Sequence, residues 1–322
     1  MIKVALDAMG GDHAPAQVVE GAVLAAKESA GRYHIVLCGP EDVVRAELAR
    51  VGYSGDGISV INAPDLVAMD ESPTQVLKTK QNSGLVMCVG LQKKGLVQAS
   101  VSAGNSGAMM AACLMILGRF GNIARPAIAL NMPSHKGTSV MLDMGANVDE
   151  KPQMLVDFAH CGSVYAEAVH GKKNPRVALL NMGEEEKKGT EVIQEAHQLL
   201  KASGLNFIGN IEGREILMGQ ADVIVTQGFT GNVVLKLIEG FYELHTDLFG
   251  EIDTPAGREF QKQWDYRNHG GGLLLGLNGT GIISHGRSDA LAIKTAVIVA
   301  YTLAEAKVSE KIGQRLGAAA GK

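Results

Sequence analysis

Five stretches of the sequence place glycine beside Asp, Asn, Ser or Thr directly after a short apolar run. They are residues 7–12, 102–107, 143–147, 181–184 and 226–232. Glycine allows the backbone to approach a ligand closely, and the N–H groups at a helix N-terminus bind anions. A single stretch of this kind is explained by a turn and a helix cap. Five of them together favour a composite anion-binding site.

The segments around these stretches alternate between short apolar runs and longer amphipathic ones. The apolar runs predict strands at 4–6, 35–37, 58–61, 98–101, 128–130, 140–142, 177–180, 207–208 and 223–225. The amphipathic segments predict helices at 16–29, 41–51, 106–117, 153–169 and 191–202. This alternation predicts an α/β fold whose mostly parallel sheet is covered by helices on both faces. Ligands of such sheets gather beyond the carboxyl ends of the strands, where the five stretches lie.

Residues 126–143 interrupt the alternation with two strand-like runs joined by residues 134–137, which predicts a hairpin. No repeat, low-complexity tract or linker divides the chain. The sequence therefore predicts one α/β domain over residues 1–322.

Composition argues against several partners and compartments. The net charge is −4 with both signs interspersed, and only 4% of residues are aromatic, so nucleic acid is not an expected partner. The four cysteines are far apart in apolar surroundings, which predicts buried, reduced thiols and not disulfides or metal ligands. The N-terminus enters a strand pattern without a leader, and no run approaches the ~18 apolar residues that span a bilayer. We therefore expect a cytoplasmic protein.

Three common nucleotide and metal motifs are absent from the sequence, namely G-x-G-x-x-G, G-x-x-x-x-G-K-[ST] and H-E-x-x-H. Residues 104–107 also lack the second spacer of the nucleophile elbow G-x-S-x-G. Ser106 is therefore interpreted as a helix N-terminal residue, with an acyl-enzyme on Ser106 as the less supported alternative.

Six longer motifs occur in order along the chain. They are LDAMGGDHAP at 6–15, VSAGNSGA at 101–108, LDMGAN at 142–147, GEEEKKG at 183–189, GFTGNVVLK at 228–236 and ISHGRS at 283–288. Each alone is weak, but all six in this order closely resemble the PlsX family, the bacterial acyl-ACP:phosphate acyltransferases. The resemblance covers nearly the whole chain.

The resemblance implies a three-layer α/β/α fold like that of isocitrate and isopropylmalate dehydrogenases, assembled as a homodimer. It implies a reaction in which inorganic phosphate attacks a fatty acyl thioester on acyl carrier protein (ACP) to give acyl phosphate. That product then feeds a membrane acyltransferase in phospholipid synthesis. No cofactor and no metal are expected, and any membrane contact is expected to be peripheral.

The same resemblance points to Lys188 and Asn232 as catalytic residues. Lys188 could neutralise phosphate or meet the departing thiolate, but it also lies in a charge run that is typical of a solvated surface. Asn232 could donate a hydrogen bond to the thioester oxygen, or it could cap the following helix. The candidates for substrate binding are Asp7, Gly10, Gly11, Asp12, Gly104, Asn105, Ser106, Gly107, Asp143, Asn147, Thr230, Gly231 and His285.

Several of these candidates have simpler explanations. The acids and Asn147 could orient hydrogen-bond donors or only buttress their loops, and His285 could assist proton transfer or brace its loop. Lys78 and Lys80 could bind phosphate or the acidic carrier protein, but residues two apart do not share a helix face, so one of them is expected to be only exposed.

Two regions depart from the family pattern. Gln227 stands where the family usually has an acid, which removes a charge beside the proposed site. Residues 241–269, expected as a helical projection, are shorter than in many relatives and mix apolar with acidic residues. Because anionic headgroups would repel these acids, we expect a dimer contact here and only weak membrane association.

Two other functions remain open on the sequence. One is a phosphate acetyl- or butyryltransferase that uses coenzyme A, which is related in fold and chemistry. The other is a non-catalytic scaffold for enzymes of lipid synthesis.

Overall fold

The computed structural model describes residues 1–121, 123–250 and 252–319. The chain forms two compact units. Unit 1 comprises Met1–Arg119 and Tyr266–Ser309, and unit 2 comprises Phe120–Asp265 and Glu310–Lys322.

Strands and helices alternate along most of the chain. The strands are β1 (Ile2–Asp7), β2 (Tyr33–Gly39), β3 (Ile58–Asn62), β4 (Ala99–Ser102), β5 (Ala127–Ser134), β6 (Gly137–Leu142), β7 (Val177–Leu180), β8 (Phe207–Ile211), β9 (Val223–Val225), β10 (Gly272–Leu275) and β11 (Thr280–Ile283). The helices are α1 (Ala16–Ser29), α2 (Glu41–Arg50), α3 (Pro73–Thr79), α4 (Gly84–Lys93), α5 (Ser106–Ala112), α6 (Pro152–Val169), α7 (Glu191–Ala202), α8 (Gly213–Ile216), α9 (Gly228–Phe249), α10 (Pro255–Trp264), α11 (Ala290–Glu305) and α12 (Val308–Ala319). A π-helical turn, Cys113–Leu117, extends α5, and a 3₁₀ turn covers Tyr266–Asn268.

In unit 1 the strand order is β3-β2-β1-β4-β11-β10, and only the β10–β11 pair is antiparallel. Leu6 of β1 lies opposite Val101 of β4, and Ile283 of β11 lies opposite Ser102. The carboxyl ends of these three parallel strands therefore meet at one edge of the sheet.

Helices cover both faces of this sheet. On one face, Ala5 packs with Cys88 and Leu91 of α4. Since side chains alternate along a strand, Val4 and Leu6 face the other way. On that side α11 packs on β1, and α1 packs against α11 so closely that a Cβ on Gly21 would lie 2.6 Å from Ile293 Cβ.

In unit 2 the order is β5-β6-β9-β7-β8. The hairpin predicted for residues 126–143 is confirmed, because β5 and β6 are antiparallel and Ser134 pairs with Gly137. Leu142 of β6 and Leu179 of β7 both lie opposite Val225 of the parallel strand β9. These three strands therefore also end at one edge.

Unit 2 has helices on both faces as well. Met141 and Ile224 belong to a core cluster against which Val234 and Ile238 of α9 pack. On the opposite face α6 lies on β6 and β9, where a Cβ on Gly162 would come within 2.6 Å of Val223 Cγ1. The three-layer α/β/α architecture with a mostly parallel sheet is confirmed.

All four cysteines, Cys38, Cys88, Cys113 and Cys161, are buried and unpaired, as predicted. Burial raises the pKa of the Cys113 thiol to about 12, so this thiol stays protonated at neutral pH. Within the described ranges, no helix is both long enough and apolar enough to cross a membrane.

Candidate functional site

The carboxyl-end edge of unit 1 is organised around Asp7, the last residue of β1. Asp7 is buried, and its carboxylate accepts hydrogen bonds from Ser102 Oγ (2.7 Å) and Met9 N (3.2 Å). Ser102 Oγ in turn accepts a bond of 3.0 Å from Gly104 N, so the side chain links the β1 and β4 loops. Burial raises the pKa of Asp7 to about 6, although the bonds from Ser102 and Met9 oppose this shift.

Glycines enclose this carboxylate. A Cβ on Gly10 would lie 2.6 Å from Asp7 Oδ2 and 2.7 Å from Gly104 N, and one on Gly84 would overlap Asp7 Oδ1. Gly11 has a φ of +111°, which favours glycine, and its neighbour Asp12 is exposed. Gly10 is therefore required by close backbone approach to Asp7, and Gly11 by its backbone conformation.

The loop after β4 is held by Asn105. Its Oδ1 accepts a bond from Ala108 N (2.9 Å) and so caps α5, while its Nδ2 donates to the carbonyls of Met69 and Glu71 at 3.1 and 2.8 Å. Ser106 is the first residue of α5, as predicted, and Ser106 and Gly107 are both exposed. The side chain of Asn105 is thus fully used by the protein, whereas its two neighbours face solvent.

Glu71, whose carbonyl accepts a hydrogen bond from Asn105, also contacts the end of α3 through its side chain. Glu71 pairs with Lys80 at 2.6 Å, and the hydrogen bond from Lys80 holds the pKa of Glu71 below its usual value. Lys78 is exposed, whereas Lys80 is half-buried and paired with Glu71.

The loop after β11 completes the unit 1 cluster. Asp12 N donates to the carbonyl of Gly286 (2.8 Å), and Ser284 N donates to the carbonyl of Ser102 (2.9 Å). His285 is half-buried, and its Nδ1 accepts a bond of 3.1 Å from Arg287 N. His285 therefore braces its own loop, which lies beside the loop of Asp12.

The carboxyl-end edge of unit 2 is organised around a second aspartate, Asp143, which follows β6. Its carboxylate is inaccessible and accepts bonds from Ile128 N (3.0 Å), Ala146 N (3.0 Å), Asn147 N (2.9 Å) and Asn147 Nδ2 (2.8 Å). Burial raises the pKa of Asp143, and these four bonds oppose the shift. Asp143 and Asn147 thus act together to fix the loop 143–147.

The first turn of α9 packs directly on this loop. A Cβ on Gly231 would overlap the Asp143 carbonyl oxygen, and one on Gly228 would overlap the Asn147 carbonyl oxygen. Gly228 N donates a bond of 2.6 Å to Oε1 of Glu150, a buried residue that the sequence analysis did not single out. The backbone of α9 therefore lies so close to the loop that a side chain at position 228 or 231 would not fit.

Asn232 is the fifth residue of α9 and is exposed. The alternative that it caps the following helix is wrong, because the helix begins at Gly228 with Gln227 as its N-cap. A Cβ on Gly145 would lie 3.4 Å from Asn232 Oδ1, so the amide stands over the glycine of the Asp143 loop. Thr230 is also exposed in the first turn. Asn232 is therefore available to a ligand at this edge.

Lys188 is exposed in the loop after β7 and has no ion-pair partner within residues 1–121, 123–250 and 252–319. The loop is held by Asn181, whose Nδ2 donates to the Lys188 carbonyl at 3.1 Å. Glu186 of the same charge run pairs instead with Lys201 at 2.8 Å. The ammonium group of Lys188 is therefore not neutralised by the acids beside it.

The structure brings the candidates together in two groups, one in each unit. Unit 1 gathers Asp7, Gly10, Gly11, Asp12, Gly104, Asn105, Ser106, Gly107 and His285, and unit 2 gathers Asp143, Asn147, Lys188, Thr230, Gly231 and Asn232. No group of three or more His, Cys, Asp or Glu side chains suited to a metal ion occurs in the described part of the chain. Each edge instead offers exposed donors above a buried carboxylate.

The chain is similar to known proteins over most of its length. The family model described as fatty acid synthesis protein matches residues 2–311. The phosphate acyltransferase of Heliobacterium modesticaldum is 46% identical over 313 residues, which cover 93% of each chain. That of Desulforamulus reducens is 44% identical and covers 95% of this chain and 94% of its own. The chain belongs to the phosphate acyltransferase family. The resemblance to the PlsX family is thereby confirmed, and with it membership of a family of transferases in fatty acid and phospholipid synthesis.

Solved structures show the same fold at low sequence identity. A phosphotransacetylase from Streptococcus pyogenes superposes with a TM-score of 0.65 at 19% identity and covers 94% of both chains. A 4-hydroxythreonine-4-phosphate dehydrogenase from Klebsiella pneumoniae gives a TM-score of 0.57 at 15% identity, covering 94% of this chain and 98% of its own. The relation to a dehydrogenase-like fold, expected from the sequence, is confirmed.

Proposed function

We propose that this member of the phosphate acyltransferase family transfers a fatty acyl group from acyl-ACP to inorganic phosphate. The observation that carries the proposal is the exposed Asn232, which directly follows the fixed first turn of α9 and lies at the same sheet edge as Lys188. An amide donor and a cation are what a reaction between an anion and a thioester needs.

The chemistry is a direct displacement. An oxygen of hydrogen phosphate attacks the thioester carbonyl carbon, and the carbonyl oxygen becomes an oxyanion. The carbon–sulfur bond then breaks, the acyl phosphate forms, and the proton of hydrogen phosphate ends on the thiol of the carrier. Neither an oxidant nor a metal is required, since phosphate is already an anionic nucleophile at neutral pH.

The two catalytic candidates have separate roles in this scheme. Asn232 donates a hydrogen bond to the developing oxyanion, because an amide N–H placed there stabilises charge that appears only in the transition state. Lys188 offsets the charge of phosphate or of the departing thiolate. Asp143 and Asn147 fix the loop beneath Asn232.

Ser106 supports direct attack over an acyl-enzyme. Its hydroxyl makes no hydrogen bond to a base among the described residues, and it opens a helix that Asn105 caps. A serine nucleophile needs an adjacent base to remove its proton.

The test is formation of acyl phosphate, trapped as the hydroxamate by hydroxylamine. Purified protein is incubated with palmitoyl-ACP, with palmitoyl-coenzyme A or with butyryl-coenzyme A, each with and without phosphate. We expect phosphate-dependent product with the carrier-protein donor at the highest kcat/KM. Preference for butyryl-coenzyme A would move the assignment to the short-chain type of transferase, and no product from any of the three donors would favour a scaffold role.

The proposal extends to assembly and location. Large apolar side chains are exposed along α9, at Phe229, Val233, Leu237, Phe241, Leu244, Leu248 and Phe249. From Phe229 to Leu248 these residues are three or four positions apart, which keeps them on one side of the helix and supports packing against a second copy to form a homodimer. The product is proposed to pass to a membrane acyltransferase, from a cytoplasmic protein that touches the membrane only peripherally.

A further inference from the structure

A buried carboxylate outside the predicted site contacts the start of α9. Glu150 is 5% exposed, and its Oε1 accepts the bond of 2.6 Å from Gly228 N. Its Oε2 is buried and has no hydrogen-bond partner in the part of the chain that the structure describes. Since a buried carboxylate with an unsatisfied oxygen costs free energy, stability alone does not account for an acid at this position.

The N-cap residue of α9 makes no equivalent contact. Gln227 forms no side-chain cap hydrogen bond, whereas four other helices are capped by their own N-cap residues, Asn105, Thr190, Thr254 and Asp289. Glu150 therefore brings negative charge to the positive end of α9 from a residue 78 positions earlier in the chain.

This contact fixes the first turn of the helix from one side. A Cβ on Gly228 would lie 2.8 Å from Asp143 Oδ2 and 3.0 Å from Glu150 Oε1, so Gly228 lies between the two carboxylates. At Gly231 the helix backbone touches the Asp143 carbonyl. Asn232 follows directly, and its direction is therefore set by how this turn is held.

We propose that Glu150 is the positioning residue for Asn232. It takes over the capping role that Gln227 does not fill and holds the first turn of α9 against the Asp143 loop. Glu150 does not touch substrate, because its carboxylate is enclosed by protein. The inference rests on the proposed function, in which the placement of the Asn232 amide controls the rate of acyl transfer.

The kinetic test uses Glu150→Ala in the full chain. We expect kcat to fall by about 10-fold to 100-fold while KM for phosphate changes by less than about 2-fold, because a misplaced donor affects mainly the transition state. Adding Gln227→Asp should restore most of kcat, since Asp is a favoured N-cap. In an Asn232→Ala background, Glu150→Ala should lower kcat by less than about 2-fold, as coupled residues are not additive.

Glu215 provides the matched control. It is also a buried capping acid of unit 2, where its Oε2 accepts a bond of 2.8 Å from Glu212 N and closes a capping box at α8. Glu215→Ala should lower the melting temperature but leave kcat within about 2-fold. An equal fall of kcat in Glu215→Ala, or a full additional fall in the Asn232→Ala background, would overturn the proposal.

Hydrogen exchange of backbone amides tests the capping role of Glu150 independently of acyl-transfer activity. In Glu150→Ala the amides of residues 228–232 should exchange about 10-fold faster than in the wild type, with recovery in the Gln227→Asp double variant. Unchanged exchange would refute the capping role even if the wild type is active. Faster exchange in a protein that forms no acyl phosphate would keep the capping role and reject the function.

Discussion

Asp7 of unit 1 and Asp143 of unit 2 lie at corresponding places, each buried at the carboxyl end of a strand beneath glycines, yet they are held differently. Asp143 accepts four hydrogen bonds, three of them from backbone N–H groups that cannot reorient. Asp7 accepts two, one of them from the hydroxyl of Ser102, which can rotate. The unit 2 carboxylate is therefore a fixed organiser of its loop, whereas Asp7 is close to its protonation midpoint near pH 6.

The largest effect that bears on this comparison is expected at Gly231. Gly231→Ala forces the Asp143 loop and α9 apart, since the new Cβ overlaps a backbone oxygen that cannot move independently. We expect a loss of about 3 to 5 kcal/mol in the free energy of unfolding, measured by urea denaturation. Gly240 of the same helix has open space around its Cα. Gly240→Ala should therefore stabilise by up to about 1 kcal/mol, and similar effects at both positions would contradict the fixed packing.

The next largest effects are expected from neutralising the two aspartates, which should lower the free energy of unfolding by different amounts. Asp143→Asn turns an NH₂ group toward backbone N–H donors, so we expect a loss of about 3 kcal/mol at pH 7. Asp7→Asn should cost less than about 1 kcal/mol at pH 7, because the Ser102 hydroxyl can rotate and accept from the new amide. Urea denaturation of both variants measures the two losses. A larger loss for Asp7→Asn than for Asp143→Asn would contradict the claim that the Asp143 carboxylate is the more rigidly held.

The smallest expected effect is the pH dependence of the Asp7 contribution. The folded pKa of about 6 is above the ordinary 3.8, so the folded state holds this proton more tightly than the unfolded chain does. The contribution is full below pH 3.8 and is lost as pH rises through about 6. The stability of the wild type relative to Asp7→Asn should therefore fall by about 2 to 3 kcal/mol between pH 4 and pH 7.5. A relative stability that stays constant over this range would show that Asp7 ionises at an ordinary pKa in the folded state, and a rise would show a lowered pKa.

Much of the fold follows from local patterns in the sequence. Helices α1 and α7 match the predicted bounds, and all nine predicted strands are present. β10 and β11 were missed because each is a buried four-residue run without the alternation that marks a half-exposed strand. Helices α3 and α8 were missed because seven and four residues are too few to show a helical period. The longer helices α4, α11 and α12 were not predicted either, and α4 and α11 are buried or half-buried around most of their circumference, which hides an amphipathic pattern.

The candidate site was predicted less completely, for a different physical reason. Glycine and small polar residues mark the strand-end loops, so the loops were found. Ser102, although it lies in one of these loops, was not given its role, and Glu150 was not singled out. Each acts on a residue far away in the chain, at separations of 95 and 78 positions, and no local spacing records such a pair. The exposure of Asn232 likewise depends on where α9 begins. The sequence does not reveal this start, because the N-cap residue Gln227 makes no capping hydrogen bond.

The most direct test of the account is the single-turnover rate of acyl-phosphate formation from palmitoyl-ACP in Asn232→Ala. If Asn232 stabilises the oxyanion, the rate should fall by about 100-fold relative to the wild type, while binding of acyl-ACP and the melting temperature stay nearly unchanged. Gly240→Ala, from the same helix, should retain the wild-type rate. A rate in Asn232→Ala within about 2-fold of the wild type would contradict the account, because no other exposed amide has been assigned to that oxygen.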